Sequence, residues 1–283
     1  MKIKTKLITL ILLVVFIPIS IITLIIYLNY KSSLEEQMFN RLERIADSRA
    51  MNLKCVLFLR KEQLKELSGS VVLKKMNSNG ENDTVIQKNI QKNIEYVFNT
   101  MAMGDTNLPK AIQEINISDC NGKILANSDV KNIGKNISHE ILKRVKENGT
   151  VVTGYDYDSI SDKRVVIFAE AIYNIEDSLF CGITIFKIEP NILFEITKQL
   201  KGLGETGEII VCQKMGNLIE IINTTRHPKK MKSVIEGDSL CQPLQYAVNG
   251  IIERGYSKDY RGEEVMSYWR NIPGIDWGLV VEI

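Results

Sequence analysis

Two short motifs in this sequence resemble parts of known cofactor and metal sites. Gly202–Gly207 fits G-x-G-x-x-G, which binds a dinucleotide only where it follows a strand and opens a helix. Here a predicted helix precedes the motif and a predicted strand follows it. His139 and Glu140 begin an H-E-x-x-H pattern, but Lys143 stands where the second histidine is required. We therefore predict a turn at 202–207, no cofactor and no metal site.

Other catalytic signatures are missing from the sequence. It contains no C-x-x-C, no G-x-S-x-G and no Walker lysine. The acid pairs Asp156/Asp158 and Glu263/Glu264 are of a kind usually found solvated in turns. The sequence therefore predicts a protein that is not an enzyme.

The cysteines do not predict a disulfide framework. There are five, an odd number. Cys55, Cys181 and Cys212 lie in apolar surroundings typical of buried free thiols. Cys120 and Cys181 fall within one predicted module and are near enough in sequence to meet, so a bridge between them remains open.

Composition narrows the class of protein further. The 283 residues are 45% hydrophobic and 25% charged, with a formal net charge of +2. These values describe a folded chain and exclude a disordered protein, a polytopic membrane protein and a strongly basic nucleic-acid binder.

The N-terminus predicts a membrane anchor. Leu7–Leu28 is a run of 22 residues without charge, and as a helix it spans roughly 33 Å, enough for a bilayer core. Three lysines precede it, at positions 2, 4 and 6, and place the N-terminus in the cytoplasm. A cleaved signal peptide is the alternative, although its apolar core is normally shorter. We predict a single-pass anchor at 1–28 and an extracytoplasmic chain after about residue 29.

A long helix and a repeat follow the anchor. Apolar residues spaced by three or four predict a spine helix over 31–76, with two shorter helices as the alternative. A second helix completes the segment 29–109. The chain then repeats one order of elements: two strands, a helix and three further strands. The first copy is 110–188 and the second is 207–283, and a helix and turn at 189–206 join them. The predicted class is α+β.

The closing segment carries a family resemblance. Asp259–Val265 and Ile272–Glu282, with the turn at Gly204–Ile209, resemble the double Cache sensor domains of bacterial and archaeal transmembrane receptors. The resemblance covers residues 7–283. It implies two tandem PAS-like modules, each with an antiparallel sheet, of which 110–188 is distal and 207–283 proximal to the membrane. It also implies a homodimer formed through the long helix.

In that family the distal module senses most ligands, in a cleft between the sheet and the helix and loops that cover it. A small polar ligand needs a few convergent polar groups in such a cleft. Arginine binds carboxylates bidentately, and tyrosine stacks or donates. Successive side chains of a strand point to opposite faces of the sheet, so every second residue shares a face. The residues that share one face of the strand are Arg164, Val166, Phe168 and Glu170. The candidate ligand-binding residues are Tyr155, Asp156, Tyr157, Asp158, Arg164, Phe168 and Glu170.

Together these observations predict the ligand-sensing region of a receptor of histidine kinase, chemoreceptor or cyclase type. The distal module would bind a small molecule, and the spine helix would pass the change to the membrane. The family's Arg-x-Trp-Tyr segment is absent, with Leu142–Lys146 in its place, which argues against an α-amino-acid ligand. The alternative is a membrane-anchored extracytoplasmic interaction module without a ligand. The two tryptophans, Trp269 and Trp277, are predicted to lie in the core or at an interface.

Overall fold

The protein is described from a computed structural model that covers residues 3–77, 84–103, 112–158, 160, 163–198, 202–227 and 233–283. Within these ranges the side chains of 3–14, 101–103, 153–157, 163, 191, 192 and 196 lie outside the description. Within the described ranges the chain forms six α-helices, α1 (Ile3–Ser68), α2 (Thr84–Met103), α3 (His139–Asn148), α4 (Pro190–Leu193), α5 (Glu195–Lys198) and α6 (Gln242–Val248). Short 3-10 turns lie at Leu73–Lys75 and Val130–Asn132.

Eleven strands in the described residues form two antiparallel sheets. The distal sheet, ordered β2-β1-β5-β4-β3, contains β1 (Ile112–Asp119), β2 (Ile124–Asn127), β3 (Thr150–Asp158), β4 (Lys163–Tyr173) and β5 (Phe180–Ile188). The proximal sheet, ordered β8-β7-β6-β11-β10-β9, contains β6 (Glu208–Met215), β7 (Leu218–Ile221), β8 (Ser233–Ile235), β9 (Glu253–Lys258), β10 (Glu264–Ile272) and β11 (Trp277–Glu282). The α+β prediction with two repeated modules is confirmed.

The spine is one continuous helix. α1 runs without interruption to Ser68, so the alternative of two helices is wrong, and the helix ends before Gly69 rather than at residue 76. Its buried positions are spaced by three or four, which gives one stripe along the helix. The stripe consists of Leu42, Ala46, Ala50, Leu53, Leu57, Arg60, Leu64 and Leu67.

Each sheet is covered on both faces. α1 packs against the first face of both sheets and forms one continuous core with Phe168 and Phe186 of the distal sheet and with Leu279 and Trp277 of the proximal sheet. On the opposite face, called here the outer face, α3 covers the distal sheet and α6 covers the proximal sheet. Covering on both faces explains why long stretches of β4, β5 and β11 are apolar without alternation.

Local details differ from the sequence predictions. The proximal module has an extra strand, β8, and the described residues of the predicted connecting segment at 189–206 form two single-turn helices, α4 and α5. Cys55 is exposed on α1, so its predicted burial is wrong, whereas Cys181 and Cys212 are buried as expected. Trp269 and Trp277 are 5% and 1% exposed, which confirms their prediction as core residues.

One described helix has the length and composition needed to cross a membrane. The window lies in the N-terminal part of α1, has a mean hydropathy of 1.5 and packs against nothing else in the protein. The side chains from Val15 to Leu28 that the structure describes are all exposed.

Candidate functional site

The outer face of the distal sheet holds a polar centre inside an apolar module. α3 and the segment before it cover β4 and β5 with aliphatic side chains, so most of this layer is a hydrocarbon core. Its buried members are Ile124, Ile137, Ile141, Val145, Val151, Val165, Ile167, Ala169, Ala171, Ile183 and Ile185. Polar side chains in this layer are therefore costly unless they are paired.

Lys187 at the end of β5 forms the centre of a buried ionic cluster. Its Nζ lies 3.1 Å from Glu114 Oε2 of β1 and 2.8 Å from Asp158 Oδ2 at the end of β3. The three side chains are at most 8% exposed. Two carboxylates face one ammonium, so this cluster carries a net negative charge and favours a ligand with a cationic or hydrogen-bond-donating group.

Amide side chains extend the cluster toward β2 and the turn after it. Glu114 Oε1 accepts hydrogen bonds from Asn127 Nδ2 at 2.6 Å and from Asn132 Nδ2 at 3.0 Å. Asn127 Nδ2 also contacts Asn116 Oδ1. The Nδ2 of Asn116 and the hydroxyl of Ser118 are buried without a partner in the described structure. Unsatisfied buried polar atoms are rare, and here they mark hydrogen-bonding capacity next to the ionic cluster.

The structure brings only part of the predicted set into this cluster. Asp158 is a member. The backbones of Tyr155, Asp156 and Tyr157 belong to β3 and pair with Val166, Val165 and Arg164 of β4. The side chains of these three residues lie outside the described part of the structure.

Arg164 is engaged with the other module. Its guanidinium forms an ion pair with Glu220 of β7, and Glu220 also accepts a hydrogen bond from Gln213 at 3.4 Å. A ligand carboxylate at Arg164 would have to compete with this existing carboxylate. In the described state Arg164 therefore links the distal module to the proximal one.

Phe168 and Glu170 lie on the spine side of the distal sheet, not on the outer face. Phe168 is fully buried in the core shared with α1. Glu170 lines a separate cleft of about 340 Å³ beside the end of α1, together with Lys65 and Ser68. The sequence correctly placed these two residues on the same face of β4, but the alternation of side chains along a strand does not reveal which helix covers which face.

Sequence reasoning missed Lys187, Glu114 and the asparagines. A signal existed in β1, where Glu114, Asn116 and Ser118 alternate with Ile115 and Ile117. Such alternation normally indicates a solvent-facing side. Here the polar side is covered, and all three residues are at most 6% exposed.

The proximal module buries a second group of acids on its outer face. Glu208 of β6 and Glu282 of β11 are directly paired across the strands, and each is at most 5% exposed. Glu208 is satisfied, because Tyr260 Oη donates to it at 2.7 Å and the backbone N–H of Arg226 also contacts it. Glu282 Oε1 is buried and has no hydrogen-bond partner in the described residues.

Charge around Glu282 is unfavourable for its ionised form. Asp259 is 3% exposed, and Arg261 already binds it through Nε at 2.5 Å. Burial, and then the negative charges of Asp259 and Glu208, raise the pKa of Glu282 to about 8. This carboxyl therefore changes its protonation within the physiological range.

Comparison with known proteins gives one family. A family model described as Cache domain, of the double (dCache) type, matches residues 28–283. Among curated protein sequences, nothing matches the chain.

Solved structures share the fold. The ligand-binding domain of the Campylobacter jejuni chemoreceptor Tlp3, in complex with 4-methylisoleucine, has a TM-score of 0.63 at 12% identity, covering 89% of this chain and 92% of that one. The sensor domain of the V. cholerae histidine kinase DctB has a TM-score of 0.58 at 12% identity, covering 89% and 97%. An extracellular ligand binding receptor from Desulfohalobium retbaense has a TM-score of 0.59 at 13% identity, covering 85% of this chain. The match covers only 40% of the chain of that receptor. At these identities the likeness concerns the fold alone.

Proposed function

Since the family match extends over residues 28–283, the chain belongs to the double Cache family, and we propose that it is the extracytoplasmic ligand-sensing region of a transmembrane signal-transduction receptor. Double Cache domains are non-catalytic ligand-binding domains. The output is of histidine kinase, chemoreceptor or cyclase type. Lys2, Lys4 and Lys6 favour a cytoplasmic N-terminus, with α1 crossing the membrane once before the modules.

The observation that carries the proposal is the buried cluster of Lys187, Glu114 and Asp158 on the outer face of the distal sheet. A purely structural layer would gain more stability from apolar side chains, because desolvating three charges costs as much as their attraction returns. Their retention on the same face of the distal sheet as the unpartnered Nδ2 of Asn116 and the unpartnered hydroxyl of Ser118 is consistent with a binding site for a small polar molecule.

The site is proposed to combine this cluster with the β3 residue Asp156, whose strand partner Val165 lies on the outer face, whereas Tyr155 and Tyr157 pair with residues that alternate toward the spine side. The net negative charge of the cluster favours a ligand with an amine or another donor group. The chemoreceptor Tlp3 binds 4-methylisoleucine in its solved complex. This chain lacks the Arg-x-Trp-Tyr segment of amino-acid-binding members, and we propose a ligand other than an α-amino acid.

Transmission is proposed to run from the distal sheet to α1. Phe168 lies in the same continuous core as Leu53 and Leu57 of the spine stripe. A packed core responds to displacement by moving as a unit, so a change in the curvature of β3 and β4 displaces α1. Ligand shifts the equilibrium only as far as it prefers one of the two states.

A thermal-shift screen of the full chain in detergent tests the distal site. Amines, polyamines, purines and α-amino acids are tested as separate groups of candidate ligands. A genuine ligand is expected to raise the Tm by an amount that grows with the logarithm of its concentration, and its stabilisation reaches about 2.7 kcal/mol at a hundred times its Kd. Asp158→Asn should abolish the shift, because it removes one carboxylate of the cluster.

Glu176→Gln is the matched control, because it removes an exposed carboxylate from the same module. It should keep the shift. If no compound raises the Tm, the result favours the interaction module without a ligand. If Asp158→Asn retains full ligand affinity, the ligand binds elsewhere.

A homodimer through α1 is proposed from an exposed apolar patch on this helix. Met51, Cys55, Phe58 and Leu59 are exposed, with Phe58 at 62% and Met51 at 56%. Helical geometry puts them opposite the buried stripe, so they face away from both sheets. A second copy of the same helix offers a partner of matching length and character.

Crosslinking of Cys55 checks this dimer. In native membranes, copper–phenanthroline oxidation is expected to join Cys55 of two copies into a disulfide-linked dimer. Cys55→Ser should abolish the product, since the other cysteines are buried. A thiol moved to a neighbouring exposed position, Lys54→Cys in the Cys55→Ser background, points about 100° away and should crosslink poorly. Equal yields from both positions would indicate random collision.

A further inference from the structure

A cleft of about 650 Å³ lies between the two modules and the spine. Its walls come from three parts of the chain. Lys61 belongs to α1, Arg144 to α3 of the distal module, and Gln213 and Lys214 to β6 of the proximal module. The volume falls in the range typical of small-molecule sites.

The half-buried charges of this cleft are positive. Lys61 and Arg144 are both partly buried, and no carboxylate of the described residues lies within 4.0 Å of their charged groups. Lys214 is already paired, with its Nζ 2.6 Å from Glu236 Oε1. Two partly desolvated cations without counterions attract an anion more strongly than exposed lysines would.

The carboxylates of the cleft lie at its rim. Glu140 and Asp276 are exposed and therefore well solvated. Glu140 stands one turn before Arg144 on α3 but forms no ion pair with it within 4.0 Å. The exposed acids leave the partly buried cations of the interior available to a bound anion.

We propose that this cleft between the modules binds a small organic polyanion, a di- or tricarboxylate, with Arg144 and Lys61 as its charge partners. The two cations belong to different elements, so a molecule with separated carboxylates satisfies both, whereas a monocarboxylate satisfies one. Gln213 and Asn271 supply polar groups from the proximal side. A bound polyanion thus contacts the spine and both modules at once.

Such an anion would act on the orientation of the modules. Gln213 also donates to Glu220, which holds Arg164 of the distal module. The cleft therefore adjoins the ion pair that joins the modules. Occupancy is expected to stabilise the described arrangement of distal module, proximal module and α1, separately from any ligand on the distal outer face.

Isothermal titration of the full chain in detergent tests the proposal, with citrate as the polyanion, acetate as the monoanion and orthophosphate as the compact anion. Ionic strength is matched with sodium chloride. Citrate is expected to bind saturably, at least tenfold more tightly than acetate or orthophosphate. Arg144→Gln and Lys61→Gln are each expected to weaken citrate binding at least fivefold.

Lys143→Gln is the matched control, because Lys143 is exposed next to Arg144 and lies 4.0 Å from Glu147. It should leave citrate binding unchanged, with far-UV circular dichroism verifying the fold of each variant. Citrate that binds no better than acetate or orthophosphate would overturn the proposal. So would retention of affinity in both Arg144→Gln and Lys61→Gln.

Asp158→Asn separates this site from the distal one. It should leave citrate binding intact. If it abolishes citrate binding while Arg144→Gln does not, the anion binds in the distal module, and the cleft proposal fails while the sensing function stands.

Discussion

Lys187→Met is expected to lower the free energy of unfolding by about 3–5 kcal/mol, because it leaves Glu114 and Asp158 buried without their shared cation. The side chain of methionine is close in size to that of lysine, so the loss reports charge rather than a cavity. Urea unfolding followed by far-UV circular dichroism measures it. The two tryptophans lie in the proximal module, so tryptophan fluorescence recorded in parallel shows whether the loss spreads beyond the distal sheet.

The compensating variant is Lys187→Met combined with Glu114→Gln and Asp158→Asn. Removing all three charges is expected to recover most of the lost stability, since a buried ionic cluster is often replaceable by neutral groups. If the triple variant is as unstable as Lys187→Met alone, the aliphatic packing of Lys187 accounts for the effect. A loss below about 1 kcal/mol in Lys187→Met would mean that the cluster is hydrated.

The second large effect concerns pH and Glu282. The pKa of Glu282 is about 8 in the folded protein and about 4.3 in an unfolded chain, so between these values the folded state binds more protons. Stability from this group is complete below the unfolded pKa and is lost as the pH rises toward 8. The slope approaches about 1.4 kcal/mol per pH unit.

Wild type should therefore lose at least about 5 °C in Tm between pH 5 and pH 8. Glu282→Gln, which resembles the protonated acid, should lose much of this dependence and melt above wild type at pH 8. Glu263→Gln removes an exposed carboxylate near the same hairpin and should keep the wild-type profile. A Glu282→Gln profile parallel to wild type would mean that this carboxyl is already solvated.

Periodicity and turn residues predicted much of the fold. Gly149 and Gly250 follow α3 and α6 with positive φ, in the same place in both copies, so the repeat was visible in the sequence. The spine stripe was visible through its spacing, yet the same spacing includes Arg60, which is 6% exposed. In a sequence, an arginine in such a stripe indicates a break in the apolar face, whereas in the structure it is buried with the rest of the stripe.

The site was less accessible to sequence reasoning for a physical reason. A period of two assigns residues to two faces of a strand but does not say which face a helix covers. Phe168 and Glu170 were therefore grouped correctly with each other, but the pattern did not show that their side of the sheet packs against α1. Lys187 follows an apolar run in β5 and meets Glu114, 73 residues away, only in the folded sheet.

The shared core along α1 also has a consequence for biosynthesis. α1 is made first, yet it is held by the last strands, as in the ion pair between Asp47 and Arg270, 223 residues apart. At roughly 5–20 residues per second, Arg270 is synthesised about 11–45 s after Asp47. During this interval its apolar stripe has no proximal sheet to cover it, and contacts of such long sequence separation form slowly. The same helix that joins both modules therefore makes this chain dependent on protection from aggregation until its final hairpin has been synthesised.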